Sequence, residues 1–197
     1  MVSTVLTYIS TELTSIAQQL RQNTVKVRIN NESAGSGVIL RSDGVIITNA
    51  HVATSKRAVV ELWDGRVVEA VRTKIDPTVD LATLQITVDN LDAAIIGNVS
   101  NLRVGELVLA VGNPFGDTGV VTVGMVSCLV PYINKSVQKT YSSVLADITL
   151  HPGNSGGLLA DCYGRVIGIN TMIVYGAAVA IPVSTVENFL NSAAEVI

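Results

Sequence analysis

The heptapeptide His151-Pro152-Gly153-Asn154-Ser155-Gly156-Gly157 reads as backbone geometry rather than as ordinary helix or strand. Its glycines carry no Cβ, so they accept φ > 0 and let another backbone come close. Pro152 fixes one φ at the entrance to the bend. Ser155 is thereby presented on an open, glycine-lined turn. If that turn aims the N–H groups of Gly153 and Ser155 at one point about 3 Å away, the two form an oxyanion hole, whose donors are worth about 3–4 kcal/mol each in a transition state. A serine hydroxyl is a weak nucleophile at neutral pH and needs a base. The competing reading of the same residues is a serine in a structural glycine-rich hairpin, and the rest of the chain decides between the two.

The search for a base is short, because His51 and His151 are the only histidines. His51 sits in Thr48-Asn49-Ala50-His51-Val52-Ala53, straight after the β-branched run Val45-Ile46-Ile47, where a rigid scaffold can hold a projecting side chain. A third group must fix the imidazole tautomer and stabilise the imidazolium, which calls for a carboxylate. Asp80 fits best, since it lies between a turn and the apolar run Leu81-Ala82-Thr83-Leu84 that has no other use for a charge. Asp76 precedes Pro77 and reads as turn chemistry.

On either side of these residues the chain shows strand patterning. Short β-rich runs cover 24–29, 37–40, 45–48, 58–62, 67–71 and 81–87, broken by turn residues such as Asn30-Asn31, Ser42-Asp43-Gly44 and Asp64-Gly65. A second set covers 106–111, 120–128, 144–147, 156–159, 166–170 and 177–181. Two sets of about six short strands argue for an all-β fold of two six-stranded antiparallel barrels. Helices are expected only at the ends. The apolar positions Val2, Val5, Leu6, Ile9, Leu13, Ile16, Ala17 and Leu20 recur at the helical period, giving an amphipathic helix over 1–22 that packs on the body or on another subunit. Ser184-Thr185-Val186-Glu187 has the form of a capping box and opens a last helix over 184–196. The expected organisation is a single domain with a first barrel at 24–96 holding His51 and Asp80, a linker at 97–105, and a second barrel at 106–183 holding Ser155.

Composition narrows the function classes. With 197 residues, 48% of them hydrophobic, the chain can bury a sizeable core. Only 15% are charged and the net charge is −3, so no nucleic-acid partner is expected. No uninterrupted apolar run is long enough for a membrane span, and the first twenty residues lack the basic residues of a signal peptide, so no membrane partner is expected, and the location expected is cytoplasmic unless a targeting segment has been trimmed away. Cys128 and Cys162 fit neither a disulfide framework nor a zinc motif, and they read as buried free thiols. Nothing calls for a metal or a cofactor.

Taken together, Thr48-Asn49-Ala50-His51-Val52, Asp80-Leu81-Ala82, Gly112-Asn113-Pro114-Phe115-Gly116, Pro152-Gly153-Asn154-Ser155-Gly156-Gly157, Gly168-Ile169-Asn170-Thr171 and Ala180-Ile181-Pro182 resemble the protease domain of the HtrA/Deg family of trypsin-like serine proteases, from about residue 24 to 190. The resemblance implies a chymotrypsin-like double barrel and an endopeptidase acting on protein or peptide substrates. It makes Ser155 the nucleophile, His51 the base and Asp80 its orienting partner, with Gly153, Ser155 and also Asn154 as oxyanion donors. Asn154 stands where digestive relatives have an aspartate for a freshly cut N-terminus, so activation by that ion pair is not expected. The S1 walls would come from Ile148, Thr149, Leu150, Met172, Ile173 and Val179, an apolar lining that suits small or medium aliphatic P1 residues. Asp147 is the nearest acid and matches a structural aspartate of the family. Relatives are often trimers joined through N-terminal segments, which makes a homo-oligomer through the N-terminal helix one expectation and a monomer another.

Three departures stand out. His151 replaces a usual asparagine, which makes the oxyanion loop a candidate for pH sensitivity, although a solvated loop histidine is the simpler reading. The connection from Ile173 to Ala178 through Tyr175-Gly176 is short, and the long insertion that some relatives carry between the first two strands is missing. The family's usual PDZ domain has no counterpart in this sequence, so peptide-triggered control through one is not expected.

Overall fold

A computed structural model describes residues 4–30, 32–134, 139–174 and 176–192. Helix α1 (Thr4–Gln22) leads into the strands β1 (Thr24–Ile29), β2 (Glu32–Ile39), β3 (Val45–Thr48), β4 (Arg57–Glu61), β5 (Val67–Asp76) and β6 (Leu81–Gln85). These close into one barrel in the order β1-β2-β3-β6-β5-β4. A second barrel follows from β7 (Leu107–Gly112), β8 (Val120–Asn134), β9 (Lys139–Asp147), β10 (Leu158–Asp161), β11 (Val166–Val174) and β12 (Ala177–Pro182), ordered β10-β11-β12-β9-β8-β7. Helix α2 (Val183–Asn191) comes last. The pairings that seal the barrels, β1 with β4 and β7 with β10, are antiparallel like the rest.

The alternation of side chains along a strand explains how β-branched runs serve two cores at once. In β3, Ile46 points into the first barrel beside Val25, Leu84 and Ile86, whereas Ile47 points out of it. There Ile47 joins Leu20, Val38, Leu81, Leu109, Val111, Leu158, Ile169, Val186 and Phe189 in a cluster that lies between the two barrels and under both helices. A separate cluster with Val108, Val126, Val144, Ile148 and Ile167 fills the second barrel.

Several strands start and stop differently from the sequence reading: β6 ends at Gln85 instead of 87, and β10 begins at Leu158 instead of 156 because Gly156 and Gly157 belong to the preceding turn. β5, β8, β9 and β11 all run longer than their apolar cores, because hairpin pairing continues beyond them, in β5 and β11 past bulges at Thr73 and Thr171. The segment at 97–105 is docked. Gly97 N–H donates to Val166 O, and a 3-10 turn (Val99–Asn101) is capped by the Asn98 side chain. The expected capping box does not form. β12 extends through Pro182, which takes the N-cap position of α2 with no side-chain cap, so Ser184 falls inside the first turn. In α1 the stripe Leu13, Ile16, Ala17 and Leu20 packs against the inter-barrel cluster, but every residue from Thr4 to Glu12 is exposed. Tyr175, residues beyond Ser192 and those before Thr4 lie outside the described residues. Among the described residues no helix is long and apolar enough to cross a membrane. Cys128 and Cys162 are free and half-buried rather than buried.

Candidate active site

β3 delivers His51 to the groove between the barrels. The strand ends at Thr48, whose hydroxyl donates to Ser36 O (2.6 Å), and the chain then bends, with the N–H groups of Val52 and Ala53 returning to Asn49 O. Asn49 donates from its amide to Asp80 O at 3.0 Å, joining that bend to the start of β6. Asp80 itself has φ = +56°, a left-handed conformation that aspartate tolerates better than most residues. Its carboxylate is the meeting point of three donors. His51 N–H reaches Oδ1 at 3.1 Å, His51 Nδ1 lies 3.0 and 2.9 Å from Oδ1 and Oδ2, and Thr171 Oγ1 donates to Oδ2 at 2.6 Å. An imidazole that donates from Nδ1 to a carboxylate carries its lone pair on Nε2. Asp76 does what its place before a proline predicts: its Oδ1 accepts the N–H and hydroxyl of Thr78.

The serine loop is two turns in succession. His151 O accepts Asn154 N–H (3.0 Å) across Pro152-Gly153, and Asn154 O accepts Gly157 N–H (3.0 Å) across Ser155-Gly156. Gly153 (φ = +102°) and Gly156 (φ = +83°) occupy the third position of each, which makes both turns type II and turns the middle peptide over relative to type I. No residue with a Cβ fits at these glycines. A Cβ on Gly153 would sit 2.4 Å from Asn113 O, and one on Gly156 would sit 2.1 Å from Ser36 O.

Following each backbone group through the loop gives the chemical result. Every carbonyl from His151 to Ser155 has a donor: besides the two turn bonds, Pro152 O accepts Phe115 N–H (3.1 Å), Gly153 O accepts the Ser36 hydroxyl (2.7 Å) and Ser155 O accepts Ser36 N–H (2.8 Å). The N–H groups of Asn154, Gly156 and Gly157 are also used, by His151, Asn170 and Asn154 carbonyls. From Gly153 to Gly157, among the described residues, the N–H groups left without a partner are those of Gly153 and Ser155. The expected third donor, Asn154, is corrected by this accounting: its N–H is spent on closing the first turn, and its side chain is buried against Gly112. Ser155 Oγ donates to Thr171 O at 3.1 Å, and no hydrogen bond among the described residues joins it to His51.

Beside Ser155 lies a cavity of about 200 Å³ lined by Leu150, His151, Pro152, Asn154, Ser155, Thr171, Met172 and Ile173, none of them acidic. Of the expected S1 residues, Leu150, Met172 and Ile173 are in its wall. Ile148 is buried in the second barrel and Val179 is buried on β12, opposite in facing to Ala178 and Ala180 of the barrel interior, and Thr149, between two buried residues, turns to solvent. Asp147 is exposed on β9 and takes no part in the lining. His151 stacks at a tilt on Phe115, with ring centroids 5.4 Å apart. Ser36, Asn113 and Thr171 are site residues that the sequence reading had not assigned. The signal for Ser36 was its place between Gly35 and Gly37, the mark of a closely approached backbone.

Two closed antiparallel barrels with a histidine–carboxylate pair from one and a glycine-flanked serine from the other define the class of trypsin-like hydrolases. The family model described as "Trypsin-like peptidase domain" matches residues 35–169. A putative serine protease, HhoB, from Synechocystis is 39% identical over 163 residues, covering 80% of this chain and 39% of that protein. The mitochondrial serine protease HTRA2 of Bos taurus is 40% identical over 164 residues, covering 81% and 36%. Among solved structures, the HtrA-type protease AlgW with a tripeptide superposes with a TM-score of 0.84 at 33% identity over 91% of this chain and 62% of that one. Deg5 superposes at 0.81 with 32% identity, over 91% and 92%. The chain therefore belongs to the HtrA/Deg-type trypsin-like serine proteases. It spans about two fifths of the length of the curated relatives it matches.

Proposed function

We propose that this protein is a serine endopeptidase that cleaves unfolded or flexible protein segments through Ser155, His51 and Asp80. The observation that carries the reading is the pair of unpartnered N–H groups on Gly153 and Ser155 in a loop whose carbonyls from His151 to Ser155, and whose Asn154, Gly156 and Gly157 N–H groups, are all engaged. A structural hairpin has no reason to leave those two open, whereas an oxyanion hole requires it. In the reaction His51 Nε2 takes the Ser155 proton as Oγ attacks the substrate carbonyl, and the oxyanion forms against the two N–H groups. The imidazolium then protonates the leaving amine, and water releases the acyl group by the same sequence. Asp80 remains a carboxylate throughout and stabilises the imidazolium.

The wall of Leu150, Met172 and Ile173, with no acid beside it, supports small or medium aliphatic P1 residues. A methylene more or less there is worth about 1–3 kcal/mol, so selectivity is expected to be loose. AlgW was captured with a tripeptide and with a decapeptide, which supports peptides as the ligand class here. The uncovered apolar residues Val5, Leu6, Tyr8 and Ile9 at the start of α1 support a homo-oligomer joined through that helix.

One observation favours a second reading, a latent or chaperone-like peptide binder: Ser155 Oγ is engaged by Thr171 O and not by His51. Fluorophosphonate labelling read by intact mass separates the two, with Ser155→Ala and His51→Ala beside the parent at pH 7.5. A single adduct on the parent and none on either variant supports the protease, and casein with a P1-varied peptide panel then gives the preference. A folded parent that takes no adduct yet binds peptide selects the second reading.

A further inference from the structure

Ser36, at the middle of β2 and fully buried, belongs to the first barrel, yet the partners of its hydroxyl are in the second. Its hydroxyl accepts the backbone N–H of Asn113 (2.8 Å) and the Asn113 side-chain Nδ2 (3.1 Å), and it donates to Gly153 O (2.7 Å). A hydroxyl has one proton and two lone pairs, so its capacity is used up. With both lone pairs taken by Asn113, the proton has one direction left, toward Gly153. Asn113 cannot yield either, because Nδ2 also donates to Val25 O (2.8 Å) and Oδ1 accepts Gly119 N–H (2.9 Å).

The same residue holds the loop a second time, since Ser36 N–H donates to Ser155 O (2.8 Å). The two carbonyls held, those of Gly153 and Ser155, belong to the peptides that alternate with the ones carrying the two free N–H groups. The 154–155 peptide, which carries the Ser155 N–H, lies between the two held peptides, and the 152–153 peptide, which carries the Gly153 N–H, adjoins the first of them. The approach is close by construction: a Cβ on neighbouring Gly35 would lie 2.8 Å from Ser155 O.

The geometry points to Ser36 as a positioning residue that, across the barrel interface, holds the Gly153 and Ser155 N–H groups aimed at one point. This rests on the oxyanion role proposed for those groups. In that arrangement the turn is set by a buried hydroxyl of the first barrel.

The test compares Ser36→Ala with the parent by two readings. Amide NMR follows the loop directly: the Gly153, Asn154 and Ser155 resonances shift or broaden in the variant, while those of the distant β4–β5 hairpin stay in place. Fluorophosphonate labelling of Ser155 slows by about tenfold to a hundredfold, as expected for donors misplaced by a fraction of an ångström to about 1 Å, and peptide turnover loses kcat with KM little changed. Ser36→Cys, nearly isosteric with a weaker donor, is read the same way should the alanine variant not fold. Unmoved loop amides, or a variant labelled at the parent's rate, overturn the inference. A parent that shows the amide changes on substitution but takes no label from the start counts instead against the protease reading and leaves the positioning role standing.

Discussion

Asp80 collects three donors on one carboxylate while sitting at positive φ. Replacing it by asparagine keeps the volume but puts an amide N–H where an acceptor is needed, so His51 is driven toward the wrong tautomer. Asp80→Asn is expected to label with fluorophosphonate about 10⁴-fold more slowly at neutral pH, with circular dichroism unchanged. A loss below tenfold would remove Asp80 from the mechanism. Thr171→Val deletes the 2.6 Å hydrogen bond to the same carboxylate. A bond to a charged group contributes about 1.5–3 kcal/mol, and an unfolding free energy from urea titration lowered by that amount, together with slower labelling, is the expected result. Ser155, His51 and Asp80 were legible in the sequence because histidine is scarce and because a charge before an apolar strand needs a purpose. For Ser36 the flanking glycines signal only a close approach, and its role was not legible, since its partners lie 77 and 117 residues away.

Elements were legible where burial and pairing coincide and less so where pairing outruns burial. β3 agrees end for end with the apolar run at 45–48, because both its faces are buried. β5 and β11 continue through polar residues whose side chains face solvent or the site, and periodicity has nothing to count there. α2 shows the complementary case, an element fixed from outside its own sequence. Lys74, on β5 of the first barrel, donates from Nζ to Phe189 O, Ser192 O and Ser192 Oγ at the helix C-terminus, and lies 4.9 Å from the Phe189 ring centroid. A cation at that end also meets the negative pole of the helix. Lys74→Met, which keeps most of the stem, is expected to cost about 1–2 kcal/mol, a fall in Tm of about 2–8 °C for a chain of this size. Differential scanning calorimetry reads the change, and labelling of Ser155 should be unaltered. A Tm equal to the parent's would mean that the inter-barrel cluster alone holds α2.

At the scale of the molecule, the site exists only where the barrels meet, and the cluster containing Ile47, Leu81, Leu158 and Ile169 is what keeps them in register. Every group drawn into the proposed chemistry comes from one chain, so assembly and catalysis are expected to be separable. Helix α1 is where assembly would act. Its 19 residues span about 28 Å at 1.5 Å per residue, but only the last half is seated on the body. The seated stripe of Leu13, Ile16, Ala17 and Leu20 continues into Val5 and Ile9, which are 65% and 45% exposed. Isolated exposed apolar residues need no explanation, whereas a stripe that runs on from a packed face is a surface with half its partner missing. Sedimentation velocity at tens of micromolar is expected to show the parent as an oligomer. The double variant Val5→Glu, Ile9→Glu should run as a 20.7 kDa monomer that still labels Ser155 at the parent's rate. A parent that is already monomeric would end the proposal of assembly through α1. A monomeric variant that lost labelling would show instead that the neighbouring subunit contributes to the site, against the single-chain geometry of Ser36, Asn113 and the serine loop.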